Sequence, residues 1–223
     1  RFDSYRQSPA EDGVQVVLSK TTPEVTIEKT ILIPRSGHRI RCRLRAQFPR
    51  DGERIRYFLN TYAFAPDGKP MSQTGRPDDT YAPAIRPSES HVIGDHFFRA
   101  PAVLAQKGQL FGAIAPDLEV LRDNRPMPTI VDLDCTQRMV DAPLLSYGFC
   151  DYRLVGHVYF ANDPSMLRRV PKDIELGFDL LVSARAGTKQ AMAYTMKYLW
   201  ERYGRQYFNR VMPQAMPFEA YAR

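Results

Sequence analysis

The stretch RIRCRLR sets four arginines, Arg39, Arg41, Arg43 and Arg45, at alternate positions. On a strand, alternation places all four on one face and Ile40, Cys42 and Leu44 on the other. Four guanidinium groups in a row suit a polyanion, either nucleic acid or an acidic or sulfated polysaccharide. The competing reading is a solvated face whose cations pair with carboxylates of neighbouring strands, such as Glu28 and Glu53. Nucleic acid suits the pattern less well, because no recognition helix or RNP-like motif stands beside the arginines.

A second set of chemistry-bearing residues lies in and just after a Pro-rich stretch. Residues Ala65 to Glu89 read APDGKPMSQTGRPDDTYAPAIRPSE, with five prolines and two glycines. They carry Arg76, Asp78, Asp79 and Tyr81; His91, Asp95 and His96 follow. Carboxylates beside aromatic and Arg side chains are what a sugar site uses, since hydroxyls need polar partners and the ring's C–H face needs an aromatic. These seven residues are therefore candidates for carbohydrate or partner contact. Asp78 and Asp79 do not form an acid/base pair by adjacency alone, because a glycosidase holds its two carboxylates several Å apart across the scissile bond. Neighbouring aspartates in a loop are commonly turn residues and caps.

Other chemistries find little support. No nucleophile elbow, phosphate loop or dinucleotide fingerprint is present. Ser36-Gly37-His38 reads as a turn. The four histidines form no HxxxH pair and the three cysteines no CxxC, so neither a metal site nor another cofactor is expected. The odd cysteine count leaves at least one thiol unpaired. A Cys135–Cys150 bridge is one reading, and buried free thiols are the favoured one. No catalytic residue is identified from the residues themselves.

The elements that must position these groups are mostly strands. VQVVLS, EVTIEKTILI, HRIRCRLRAQF and ERIRYFLNTYAF alternate and are separated by TTP, PRSG and PRDG, a pattern of antiparallel strands. The SGHRI and RDGER junctions have hairpin chemistry, with Gly supplying positive φ. The Ala65–Glu89 stretch is too long for a plain connector, and reads as a loop across one sheet edge. Strands resume with SHVIGDHFFRAP, and a hairpin is expected to turn at Gln106–Gln109. TIVDLD, LLSYGFCDYRLVGHVYFAN and IELGFDLLVSA follow. About a dozen strands require curling or two packed sheets. The fold expected is mainly β, a large antiparallel β-sandwich with a C-terminal α-helix.

At Thr188 the period changes from two to 3.6. Thr188 is a plausible N-cap, and Met192, Met196, Leu199, Trp200, Tyr203 and Tyr207 form one stripe before Pro213. The segment from Tyr198 to Val211 holds five aromatics, too much apolar surface to leave wet. Bulk properties are ordinary for a globular protein: 223 residues, 43% hydrophobic, 25% charged. The formal charge of +6 permits an acidic partner without demanding one. No apolar run is long enough for a membrane span. The opening RFDSYRQSPAEDG has neither an initiator Met nor the apolar region of a signal; a removed signal peptide explains that, and so does a sequence shortened at its start, and a secreted or periplasmic location is the expectation.

A many-stranded β region ending in GFDLLVSARAG, followed by the helix TKQAMAYTMKYLWERYGRQYF and a Pro-rich exit, resembles the N-terminal part of certain large glycoside hydrolases. In those proteins a supersandwich domain, similar in architecture to galactose mutarotase, precedes an (α/α) toroid that holds the catalytic carboxylates. The resemblance implies a β domain at 1–187 and a linker helix and tail at 188–223. It also implies that Trp200, Tyr203, Tyr207 and Phe208 partly cover the sandwich and partly meet a catalytic domain not among these residues. No catalytic residue then falls on this chain, and the Ala65–Glu89 loop is the segment such a domain would lend to the active-site rim. Two further readings stay open: a stand-alone carbohydrate-binding, lectin-like module, and a structural or assembly protein that self-associates through the terminal helix.

Overall fold

The structure is a computed structural model; it describes residues 2–82, 91–94, 102–123, 126, 129–135, 140–150, 167–184 and 188–206, with 91–94, 122–123, 150 and 188–191 described by backbone alone. The fold is mainly β, with a large antiparallel sheet and a C-terminal helix, as the alternation predicts.

Eight strands form the larger sheet. In chain order they are β1 (Ser4–Ala10), β2 (Gly13–Thr21), β3 (Thr26–Pro34), β4 (Arg39–Gln47), β7 (Asp79–Tyr81), β9 (Val103–Lys107), β10 (Leu110–Pro116) and β14 (Asp173–Ser183). Their spatial order is β1-β2-β3-β4-β14-β10-β9-β7. A four-stranded sheet, ordered β6-β12-β11-β8, faces it and uses β6 (Tyr57–Ala63), β8 (His91–Gly94), β11 (Thr129–Asp134) and β12 (Leu144–Cys150). Short β5 (Glu53–Ile55) and β13 (Arg168–Val170) pair with one another.

One apolar core lies between the two larger sheets. Cys42, Leu44 and Ala46 of β4, Ile174, Leu176 and Phe178 of β14, and Ile114 of β10 meet Phe58, Val131, Leu133, Leu145, Tyr147 and Phe149 from the other side. Phe178 lies edge-on to both Tyr62 and Tyr147, a geometry that aromatic quadrupoles favour. Burying side chains of this size contributes about 1.5–3 kcal/mol each, which is what holds two sheets together.

Several elements differ from the sequence reading. The N-terminal SYRQSPA is a strand, β1, at one sheet edge. Its polar residues and Pro9 hid it, and they are also what keeps an edge strand from pairing with another chain. ERIRYFLNTYAF is two strands: the chain breaks at Arg56, so that β5 and β6 serve different sheets. Gly37 (φ 99) does turn the β3–β4 hairpin, whereas Gly52 (φ 81) leads β4 out of its sheet toward β5. The hairpin turn after Gln106 is as expected. The Pro-rich stretch contains a helical turn at Pro66–Gly68, a short helix α1 (Met71–Thr74) and β7; its residues 83–89 lie outside the described ones. A further helix, α2 (Leu118–Asp123), follows β10. The terminal helix α3 (Thr188–Leu199) starts where its period predicts. Among the described residues no helix is long and apolar enough to cross a membrane.

Cys42 and Cys135 are free and buried, so the Cys135–Cys150 bridge does not form. Burial pushes both thiols up, Cys135 to about 11. In a Cys150→Ser background, Ellman's reagent at pH 8 is expected to label neither thiol before unfolding and both after it; rapid native labelling would contradict the burial. A Cβ placed on Gly177 of β14 would sit 2.9 Å from Asp117 Cβ and 2.9 Å from Val120 Cγ2. Gly177→Ala therefore forces α2 off the sheet and is expected to destabilise the protein by about 1–3 kcal/mol in urea unfolding.

Candidate functional site

The arginine ladder of β4 lies on the outer face of the large sheet. The ladder's register with β14 sets Arg45 opposite Glu175, Arg41 opposite Asp179 and Arg39 opposite Leu181. Arg41, Arg43 and Arg45 are exposed, while Cys42 and Leu44 are buried beneath. Arg43 binds Glu175 at 3.0 Å and Arg45 binds Asp173 at 2.7 Å. Exposed pairs of this kind contribute at most about 1 kcal/mol each. The partners come from β14 rather than from Glu28 or Glu53. Glu28 sits opposite Arg45 on β3, but Glu53 pairs with Arg50 at 2.7 Å.

Arg39 behaves differently, because its partner is buried. Asp179 is 1% exposed and lies 3.0 Å from Arg39 Nη2. Tyr198 of α3 and Arg202, one turn further on, both donate to the same Asp179 oxygen. Arg202 also donates to Tyr198 Oη at 2.8 Å and to Asp117 Oδ2 at 2.7 Å. The other Asp117 oxygen accepts from the Glu119 and Val120 amides at 3.1 and 3.4 Å, capping α2. One arginine on the helix thus joins two carboxylates from two elements of the β domain.

Apolar contacts frame this network. Tyr194 and Tyr198 pack on Leu104, Phe111, Ala113 and Leu181, and Met196, Leu199 and Tyr203 on Ala102 and Ala115. Ala113 and Ala115 of β10, with Ala102 just before β9, leave a flat bed on which a helix can lie closely. The Tyr203 hydroxyl accepts from the Leu118 amide at 3.2 Å, and its burial pushes the phenol up to about 12. Burial also raises Tyr198, with the hydrogen bond to Asp179 adding to it.

Trp200 departs from the expected stripe. It is 48% exposed, while Leu199 and Tyr203 on either side face the sheet. The helix widens over Trp200–Gly204, where the Arg205 amide bonds to the Trp200 carbonyl across five residues. That extra residue per turn rotates the last part of the helix and lets Arg202 and Tyr203 reach the sheet together. The indole folds over Gly204, where a Cβ would meet Trp200 Cε3 at 2.5 Å. Tyr207 and Phe208 lie outside the described residues.

The Pro-rich segment is tied to the β9–β10 turn. Asp78 binds Lys107 Nζ and the Gly108 amide, each at 2.7 Å, and these hold its carboxyl below the usual range, the amide most. Lys107 also donates to the Arg76 carbonyl at 2.9 Å, and Asp79 accepts from the Thr80 amide at 2.9 Å. Tyr81 packs against the same outer-face cluster as Tyr194 and Tyr198. His91 belongs to β8 in the other sheet, so the structure does not gather it with Asp78 and Tyr81 on one strand edge; Asp95 and His96 lie outside the described residues. Among the described residues no group of three His, Cys, Asp or Glu side chains could hold a metal ion.

Sequence reasoning missed Asp117, Asp179, Tyr198 and Arg202. A signal was there: Asp179 interrupts the apolar run GFDLL, and Tyr198 and Arg202 are four apart on one helix face. Arg202→Leu is expected to cost about 3–5 kcal/mol, because it leaves buried Asp117 without its cation and removes one of the two that serve Asp179. Trp200 is the only tryptophan, so its fluorescence reports the helix directly. Urea unfolding followed by Trp200 emission and by far-ultraviolet dichroism checks this, and a wild-type midpoint in the variant would refute the role of the network.

No family model matches the sequence, and no curated protein does. Among solved structures the chain is similar to two GH36 α-galactosidases of Geobacillus stearothermophilus, AgaB and a variant of AgaA in complex with stachyose. The TM-score is 0.46 for each, at 8% and 9% identity. In both cases 83% of this chain is covered but only 28% of the enzyme.

Proposed function

We propose that this chain is the non-catalytic β domain of a larger carbohydrate-active enzyme of glycoside hydrolase type. In this reading residues 1–187 form the domain and 188–223 the linker to a catalytic domain. The observation that carries it is the mounting of α3: a buried two-carboxylate clamp fixes the helix to the sheet, and Trp200 stands on its outward side. A helix held that rigidly fixes the direction in which a following domain is presented. The organisation of strands, helix and Pro-rich exit resembles that of the supersandwich and linker in such hydrolases.

The candidate carboxylates fit a supporting role. Asp78 is committed to the β9–β10 turn that it braces, and Asp79 accepts from the amide of its neighbour Thr80. Within the larger enzyme, we place the segment carrying Arg76 and Tyr81 at the rim of the active site. The chemistry itself belongs to the other domain.

Two measurements test the reading. An antibody raised against this chain is expected to detect, in extracts of the source cells, a polypeptide far larger than the 25.6 kDa of these 223 residues. A native species close to 25.6 kDa would overturn the two-domain reading. The purified chain is also expected to release no nitrophenol from a panel of nitrophenyl glycosides, and turnover by it would overturn the non-catalytic role.

A further inference from the structure

Arg41 stands apart from its three neighbours on the ladder. Arg39, Arg43 and Arg45 each have a carboxylate, whereas no ion pair or hydrogen bond to Arg41 is present among the described residues. Its register neighbour Asp179 is already engaged by Arg39, Tyr198 and Arg202. Arg39 has a second peculiarity: its Nε–H is buried and has no acceptor among the described residues. That nitrogen is closed to solvent, so Arg39 stays with the internal network and Arg41 is the cation open to a ligand.

Both arginines line one cleft, of about 280 Å3, between the β3–β4 hairpin and α3. Asp12, Ser36, His38 and Tyr194 line it as well. His38 and Tyr194 meet edge-to-face, with ring centroids 5.9 Å apart, so the cleft has an aromatic wall. A guanidinium in need of a carboxylate, an aromatic wall and small polar side chains to meet hydroxyls, in a volume near that of one hexose, define a ligand class. We propose that the cleft binds a sugar acid, a hexuronate unit of an acidic glycan. The carboxylate accepts from Arg41, the ring lies against Tyr194, and Ser36 and Asp12 meet hydroxyls. A planar carboxylate matches the guanidinium fork better than a neutral sugar does.

The assignment goes beyond the role proposed above and holds whether or not a catalytic domain accompanies the chain, so the immunoblot and the binding measurement fail separately. The test is calorimetric titration of the 223-residue chain with D-glucuronate, with D-glucose and sodium sulfate as comparison probes, together with saturation-transfer NMR on the glucuronate ring protons. Saturable glucuronate binding, with transfer to the ring protons and clearly weaker glucose and sulfate binding, is expected. Arg41→Gln should raise Kd by about tenfold or more, the usual worth of a charge-assisted hydrogen bond. Tyr194→Phe should keep affinity and Tyr194→Ala should lose it. Arg41 makes no hydrogen bond or ion pair among the described residues, so its substitution leaves the fold intact, checked by an unchanged urea midpoint. Absence of saturable binding, or an unchanged Kd in Arg41→Gln, overturns the site. Sulfate binding as tightly as glucuronate overturns the sugar-acid class in favour of a bare anion site, and glucose binding equally well overturns the role of charge.

Discussion

The buried carboxylate of Asp179 is the constraint around which the outer face is organised. A lone ionised carboxylate in that position would be prohibitively costly, so its presence obliges the chain to bring cations and donors to it. Arg39 arrives from the adjacent strand β4, and Tyr198 and Arg202 arrive from α3 and its widened last turn. Because Arg202 also serves Asp117, the same residue ties the helix to the turn after β10. The helix cannot slide along its alanine bed without breaking several charge-assisted bonds at once. Apolar packing decides that the helix lies on the sheet, and the ion network decides where.

That placement separates the two faces of the large sheet by chemistry. The inner face is a conventional apolar core shared with the four-stranded sheet. The outer face is apolar under α3 and cationic beside it, where the ladder of β4 emerges from the helix's edge. Neutralisation by β14 is uneven along this ladder. Glu175 and Asp173 answer Arg43 and Arg45, and Asp179 answers Arg39, but Arg41 faces a carboxylate already committed elsewhere. A cation left over by an internal network, next to an aromatic wall, is a natural place for an external anion.

In the role proposed for it, the domain is a scaffold with a surface site. Asp78 of the Pro-rich segment braces a hairpin turn. The buried polar residues near the core are similarly committed: Lys29 donates to Asn60 at 2.7 Å and lies over the Tyr62 ring, and burial lowers its ammonium.

Alternation and turn residues in the sequence determined most of the described strands, the two faces of RIRCRLR and the start of the terminal helix, because these depend on local periodicity alone. They also determined that so aromatic a helix must cover something. Only the tertiary structure decided which strand would neutralise each arginine, since the carboxylates of β14 are some 130 residues away in the chain and the equally plausible Glu28 and Glu53 are much nearer. It likewise decided that ERIRYFLNTYAF would be shared between two sheets, and that Trp200 would turn outward while Arg202 turned in. Those outcomes rest on long-range pairing and on one extra residue in a helical turn. A local pattern carries no record of either.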